Sequence, residues 1–202
     1  MKIIVIGATG TIGTAVADAL ASHHEVVRAS RSSHPSIDID DVASVAAFFD
    51  QIAQVDAVVV CAPSVSTAMR ARAPVAHLTD AQLDFAVRRL MSQVKLVRAA
   101  IPGVRDEGSI TLTTGQLATH PVPGTSALTM AGAGLEGFIR AAALDMPRKL
   151  RLNSVSPGWI KETMEQAGMD SAQGMPAREL AGFYVAAVEG TMTGTVIDPT
   201  AR

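Results

Sequence analysis

The chain has few of the features that mark secreted, membrane or nucleic-acid-binding proteins. Its 202 residues include one cysteine, Cys61, so no disulfide can form within the chain, and a reducing, cytoplasmic setting is expected. The net charge of −2 argues against nucleic acid or an anionic membrane as the main partner. No apolar run reaches the roughly 18 residues that cross a bilayer, and the opening MKIIVI is too short for a signal-peptide core. We therefore expect a cytoplasmic protein with neither nucleic acid nor membrane as a partner.

What is present is an alternation of short apolar runs and longer helical patterns. The predicted strands are Lys2–Ile6, Glu25–Ala29, Asp56–Cys61, Ser109–Thr114, Leu150–Val155 and Thr195–Asp198, with a shorter one near Ser36–Ile39. The predicted helices lie near Thr11–Ser22, Val42–Ala53, Asp80–Ala100, Ser126–Met146 and Ala177–Glu189. Strands that are almost unbroken runs of Val and Ile indicate a parallel sheet buried on both faces. We predict one α/β domain over residues 1–202, a doubly wound parallel sheet of about seven strands with helices on both faces.

Glycines recur directly after the first predicted strand, in the segment GATGTIG at residues 7–13. Glycines spaced by three allow a tight turn and a close approach of the backbone to a pyrophosphate, and the following helix supplies N–H groups to the phosphates. A purely structural glycine turn is the alternative. The residues predicted to hold the phosphates are Gly7, Thr9, Gly10, Thr11, Ile12 and Gly13.

The end of the second predicted strand bears on the choice of nucleotide. NAD-binding proteins place an acidic residue there to hold the ribose 2′-hydroxyl, but this chain has Ser30, Arg31 and Ser32. A guanidinium beside hydroxyl groups suits a 2′-phosphate. We therefore predict NADP(H) in preference to NAD(H). Arg31 could instead be a free surface charge, and Arg28 a solvated strand residue.

Three consecutive segments, GSITLTTG (108–115), GTSALTMAGAGLEGFIRAAALDMP (124–147) and LRLNSVSPGWIKET (150–163), resemble the catalytic half of the short-chain dehydrogenase/reductase family. The resemblance implies a Rossmann fold, a nicotinamide cofactor and hydride transfer. That family uses a Ser at a strand end and then a Tyr and a Lys on the next helix. The corresponding positions here are Gly115, Leu128 and Gly132. No group of the usual proton-transfer set is therefore present.

The resemblance also implies further cofactor contacts. Asp38 and Ile39 correspond to a pair that meets the adenine ring, although Asp40 or Asp41 could simply cap the next helix. At the end of the third long strand, a segment that contacts the ribose in relatives is replaced, and Cys61 is more readily explained as an inert buried thiol than as a nucleophile. The residues of that segment are Cys61, Ala62 and Pro63. A Pro-Gly loop with Pro157 and Gly158 corresponds to the nicotinamide site of relatives. There an Ile backbone holds the nicotinamide carboxamide and a following Thr meets the phosphates, which implies these roles for Ile160 and Thr163.

Three residues could substitute for the missing proton donor. Thr114 closes a predicted strand and can hydrogen-bond a carbonyl oxygen. His120 is the nearby group that titrates in a useful range, although a loop histidine is usually solvated. Arg89 could reach into the space left by the Tyr and Lys and bind an anion, or could form a partly buried pair with a carboxylate. No metal site is predicted.

Three functions therefore remain open. The first is an NADP(H)-dependent reductase of small carbonyl compounds with a non-standard active site. The second is a non-catalytic NADP(H)-binding sensor or regulatory module. A third, an assembly subunit for an active homologue, rests on the small residues of the helix around Gly132. Relatives associate through that helix and the long one before it, so we expect a homodimer or homotetramer.

Overall fold

A computed structural model of the chain describes residues 1–52, 54–62 and 71–201. Its central element is a six-stranded parallel sheet with the order β2-β1-β3-β4-β5-β6. The strands are β1 (Lys2–Ile6), β2 (Glu25–Ala29), β3 (Val55–Val60), β4 (Val104–Thr113), β5 (Arg151–Val155) and β6 (Val196–Ile197). Because β1 lies between β2 and β3, the connections from β1 and from β3 leave the sheet in opposite directions. Such a switch point is where α/β sheets bind ligands.

Helices cover both faces of this sheet. They are α1 (Thr11–Ala21), α2 (Val42–Gln51), α3 (Asp80–Ala100), α4 (Ser126–Ala142), α5 (Lys161–Gln166) and α6 (Ala177–Glu189). Successive strand residues point to opposite faces. Thus Ile4 and Ile6 enter the core under α2, α3 and α4, whereas Ile3 and Val5 enter the core under α1 and α6. Among the described helices, none is long and apolar enough to cross a membrane.

Most predicted elements form within a few residues of their expected limits, and one does not. The short strand predicted near Ser36–Ile39 pairs with no other strand. The backbone N–H of Ile37 donates to the Ser30 carbonyl at 2.9 Å, and that of Asp38 donates to Ser44 Oγ at 2.9 Å. The apolar residues that suggested a strand are instead buried in the core beside α2. The prediction of this strand was therefore wrong, because these backbone N–H groups bond to nearby acceptors and not to a neighbouring strand of the sheet.

The region after the Pro-Gly loop begins as a helix, since α5 extends to Gln166. Met164 is buried, and Met175 forms an isolated parallel bridge with Ile160. This bridge fixes the segment beside the carboxyl ends of the strands, where it borders the candidate site.

Candidate functional site

The glycine loop after β1 is shaped by contacts that exclude larger side chains. Gly7 has φ +84° and donates its N–H to the Ala29 carbonyl at 2.8 Å. A Cβ on Gly13 would lie 2.7 Å from the Gly7 carbonyl carbon and 3.0 Å from Ala8 Cα. Since real Cβ atoms avoid such distances, glycine at position 13 is what allows α1 to start this close to β1.

The start of α1 is open toward the ligand side. The N-cap residue Gly10 has no side chain to bond the first-turn amides, so the N–H groups of Thr11 and Ile12 have no capping acceptor. A Cβ on Gly10 would have only the Gly7 carbonyl oxygen nearby, at 3.4 Å. Thr9 and Gly10 are exposed. An uncapped helix N-terminus with a glycine at its entrance is suited to phosphate groups. The residues present therefore fit the pyrophosphate of a dinucleotide.

The serines after β2 form a local hydrogen-bonded turn. Ser33 Oγ accepts from the Ser30 N–H at 2.7 Å, and Ser30 Oγ accepts from the Ser32 N–H at 3.2 Å. Arg31 is exposed on this turn and forms no ion pair within the described ranges. Arg28, in contrast, pairs with Asp18 on α1. Of the two arginines, Arg31 is the one whose guanidinium is available to a ligand.

The acidic segment before α2 divides its roles among neighbouring residues. Asp41 caps α2, because its Oδ1 accepts from the Ala43 N–H at 2.9 Å. Asp40 accepts from Ser92 Oγ of α3 at 2.7 Å. Asp38 receives the Asp40 N–H at 3.1 Å. Capping, left open by the sequence, is thus assigned to Asp41, and the adenine contact of Asp38 and Ile39 stays a prediction.

The end of β3 contacts the glycine loop directly. A Cβ on Gly7 would lie 3.1 Å from the Ala62 nitrogen and from the Cys61 carbonyl carbon. Burial raises the pKa of the Cys61 thiol to about 12, although a hydrogen bond with Thr113 acts to lower it. Since a thiol with that pKa is protonated near neutral pH, the structure favours an inert Cys61. The predicted contact of Pro63 lies outside the described residues.

The end of the Pro-Gly loop pairs with the segment before α6. Around the bridge of Ile160 with Met175, the Lys161 N–H donates to the Met175 carbonyl and the Met175 N–H donates to the Trp159 carbonyl, both at 2.9 Å. In a parallel bridge this pattern turns the N–H of Ile160 away from Met175. That amide is therefore free to face a ligand.

Helix α5 after this loop lies close to the glycine loop. Its Gln166 reaches Thr11 Oγ1 at 3.5 Å. The Glu162 carboxylate accepts the Ala177 N–H at 3.0 and 3.1 Å and so is occupied by the start of α6. Thr163, the predicted phosphate contact, lies inside α5 and is partly buried.

The three positions of the missing catalytic set differ in their surroundings. Gly115 is extended, with φ 175°, and a Cβ there would have the Pro157 carbonyl oxygen as its nearest neighbour at 3.8 Å. Leu128 packs against an apolar cluster that includes Ala86. A Cβ on Gly132 would lie 3.3 Å from Ala118 Cβ. The turn containing Ala118 therefore occupies part of the space that a lysine side chain at position 132 would need.

Helix α4 carries a buried carboxylate that sequence reasoning missed. Glu136 is 2% exposed, and its Oε1 accepts from Thr114 Oγ1 and Ser156 Oγ, both at 3.4 Å. Its Oε2 accepts from Arg140 at 3.2 Å. The spacing from Leu128 through Gly132 to Glu136 could have indicated a shared helix face. The structure thus connects Thr114 to a buried carboxylate.

The two remaining proton-donor candidates lie in different environments. The guanidinium of Arg89 lies 5.7 Å from the Phe85 ring centroid, and its buried Nη1 has no partner among the described residues. Burial lowers the pKa of Arg89 to about 10, while the charge of Asp40 acts to raise it. Arg89 forms no ion pair within 4 Å in the described part of the chain, so the alternative of a carboxylate pair is not seen there. His120 is exposed, and its Nδ1 lies 3.0 Å from Thr119 Oγ1.

The chain is similar to known proteins over much of its length. The family model described as enoyl-(acyl carrier protein) reductase matches residues 7–181. The short-chain dehydrogenase/reductase malC of Malbranchea aurantiaca is 31% identical over 147 residues, which make up 63% of this chain and 55% of that protein. The chain thus spans about half the length of this curated relative.

Solved structures extend the similarity to almost the whole chain. The protein lin1944 from Listeria innocua has a TM-score of 0.88 and 31% identity, with 98% of each chain covered. A small-chain dehydrogenase in complex with NADPH has a TM-score of 0.85 and 27% identity, with 98% of this chain and 95% of that chain covered. With its parallel sheet, its glycine loop and a family model over most of its length, this chain belongs to the short-chain dehydrogenase/reductase family.

Proposed function

We propose that the protein binds NADP(H) and reduces a small carbonyl compound with a non-standard active site. The observation that carries the cofactor assignment is the exposed Arg31 on the serine turn, whose guanidinium forms no ion pair with a described residue, together with the start of α1, where Gly10 provides no side-chain cap. A dinucleotide pyrophosphate at Gly10 would place its adenosine toward β2, where a guanidinium suits a 2′-phosphate. The structural relative with bound NADPH supports the same choice.

Bound NADPH would supply a hydride, and the chain must then stabilise the negative charge that develops on the carbonyl oxygen. Thr114, directly after β4, is the candidate for this role. Its hydroxyl proton, which Glu136 accepts in the structure, would turn toward the carbonyl oxygen, and water would supply the proton that completes the alcohol. Arg89 would act as an anion-binding group, since a pKa of about 10 keeps it charged at neutral pH. His120 would have to turn inward from its exposed position.

The cofactor assignment can be tested by titrating NADPH and NADH against the fluorescence of Trp159, which is 50% exposed beside the Pro-Gly loop. Arg31→Ala should weaken NADPH binding about 10- to 100-fold, the effect of losing a charge-assisted contact. It should leave NADH binding nearly unchanged. Arg28→Ala is the matched control, because Arg28 is paired with Asp18. An unchanged NADPH/NADH affinity ratio in Arg31→Ala would overturn the preference for NADP(H).

A non-catalytic NADP(H)-binding module is the second candidate, and the packing around α4 favours it. Ala118 lies against Gly132, and Leu128 is part of an apolar cluster. Positions 128 and 132 therefore have apolar surroundings and carry no titratable group that could transfer a proton. A panel of aldehydes, ketones and quinones, followed by the loss of NADPH absorbance, distinguishes the two functions. Turnover that is lost in Thr114→Val would support the reductase, and binding without turnover would support the module.

We also propose a homodimer or homotetramer in a reducing, cytoplasmic setting. Helices α3 and α4 pack on each other, and Leu90 lies close to Gly134. Their outward faces expose apolar side chains, namely Val87, Met91 and Met130. Exposed apolar residues on adjacent helices are typical of an association surface. A monomer in light scattering at micromolar concentration would contradict this proposal.

A further inference from the structure

The carboxamide of Gln116 is held in one orientation by the segment after β6. Its Nε2 donates to Asp198 Oδ1 at 3.2 Å and to Thr200 Oγ1. An ionised carboxylate can only accept hydrogen bonds, so the amide nitrogen must face Asp198. The carbonyl oxygen, Oε1, therefore faces the other way.

Asp198 is itself well fixed. Its Oδ1 accepts from the Thr200 N–H at 2.8 Å and from Thr200 Oγ1 at 2.7 Å. Partial burial acts to raise the pKa of Asp198, but the hydrogen bonds from Thr200 and Gln116 outweigh it and lower the pKa. Asp198 therefore stays ionised at neutral pH and keeps the Gln116 amide oriented.

The free end of this carboxamide lies against the Pro-Gly loop. A Cβ on Gly158 would clash with Gln116 Oε1 and would lie 3.1 Å from Gln116 Cδ. The backbone N–H of Gln116 donates to the Pro157 carbonyl at 3.1 Å, which fixes the two segments together. Within the described ranges, Gln116 Oε1 accepts no hydrogen bond. An oriented acceptor without a donor thus borders the loop that ends at Ile160.

We propose that Gln116 Oε1 accepts a hydrogen bond from the carboxamide N–H₂ of the nicotinamide ring, with Asp198 and Thr200 as its positioning residues. The inference rests on the proposed binding of NADP(H). The nicotinamide carboxamide presents one donor group and one acceptor oxygen. The acceptor on Gln116 and the ligand-facing N–H of Ile160 complement these two groups. A preoriented side chain binds with less loss of entropy than a mobile one.

Calorimetric titration with two ligands tests this contact without relying on activity. The ligands are NADP⁺ and 2′-phospho-ADP-ribose, which lacks the nicotinamide ring. Gln116→Ala should weaken NADP⁺ binding about tenfold, the effect of one hydrogen bond. It should leave the affinity for 2′-phospho-ADP-ribose within about twofold. Asp198→Ala should show the same selectivity with a smaller loss, because it releases the carboxamide without removing it.

Gln51→Ala is the matched control, since Gln51 is exposed on α2 and donates only to the Ala47 carbonyl. Equal losses for both ligands in Gln116→Ala would show a general disturbance of the loop and overturn the proposed contact. An unchanged affinity for NADP⁺ would overturn it as well. If the unmodified protein bound neither ligand, the proposed function itself would fail, an outcome distinct from a failure of Gln116 alone.

Discussion

Glycines lie in two regions of the molecule, the nucleotide loop and the strand–helix pair that would hold the substrate, and the space around them differs between the two. In the nucleotide loop, a Cβ on Gly13 would overlap the backbone of Gly7. In the other region, a Cβ on Gly115 would meet no described residue closer than 3.8 Å, and one on Gly132 would meet the small side chain of Ala118 at 3.3 Å. The first region requires glycine for its backbone geometry, whereas the glycines at the two predicted catalytic positions meet no such requirement from the described residues.

The largest effect is expected from Gly13→Ala. Its methyl group would force α1 away from β1, and overpacking of a rigid backbone costs about 3 kcal/mol or more of unfolding free energy. Gly10→Ala is the control, because its nearest neighbour would be 3.4 Å away. We expect Gly10→Ala to keep its stability and to lose cofactor affinity. Chemical denaturation measures the first effect, and near-equal stability of the two variants would contradict the steric argument.

A second prediction concerns the carboxylate under the substrate region. Glu136→Ala removes the buried carboxylate that accepts hydrogen bonds from the hydroxyls of Thr114 and Ser156. It should therefore lower the unfolding free energy by about 2–4 kcal/mol. Arg140→Ala should cost less than about 1 kcal/mol, because its side chain is 56% exposed. Denaturant midpoints measure both. A larger loss in Arg140→Ala than in Glu136→Ala would show that the exposed ion pair dominates instead.

The glycines at two predicted catalytic positions, Gly115 and Gly132, should respond differently when the family's Ser and Lys are introduced. Gly115→Ser should change the unfolding free energy by less than about 0.5 kcal/mol, because its backbone is extended and the nearby space is open. Gly132→Lys should cost about 1–3 kcal/mol, because its side chain must displace the turn at Ala118. Thermal melting checks the pair. Equal melting temperatures for the two variants would show that this turn adapts freely.

The smallest effect on stability at neutral pH is expected from two buried groups of the core, Cys61 and Tyr184. Burial raises the pKa of Tyr184 well above its usual value and that of Cys61 to about 12. Groups with raised pKa values stay protonated when folded, so they leave stability unaffected below pH about 8.5. As the pH rises toward 12, the unfolded chain releases these protons first, and the unfolding free energy should fall.

Urea unfolding at several alkaline pH values measures this dependence. Cys61→Ala should flatten it, with little change at pH 7. Tyr184→Phe should also flatten it, but at about 1 kcal/mol of lost stability, since the Tyr184 hydroxyl lies 2.7 Å from Thr113 Oγ1. If both variants kept the full alkaline loss, other groups would be responsible.

The order of elements and much of the nucleotide loop could be predicted from the sequence because their signals are local. The run Lys2–Ile6 and the glycines after it are contiguous, and the limits of Asp80–Ala100 were confirmed as helix α3. The prediction of a strand near Ser36–Ile39 was wrong because buried isoleucines give the same sequence pattern in a strand and in a loop that packs on the core. The pairing of Arg28 with Asp18 could not be predicted, since it joins a strand to a helix.

The sequence by itself determined the family and the parallel sheet, because both depend on residue identity and short-range spacing. The same signals predict that the usual proton-transfer residues are replaced. The tertiary structure decided what surrounds those positions. It packs Ala118 on Gly132, and it forms the hydrogen bonds from Thr114 to Glu136 and from Gln116 to Asp198. These contacts join residues from different elements, and only the packing of helices and strands around one sheet sets their distances.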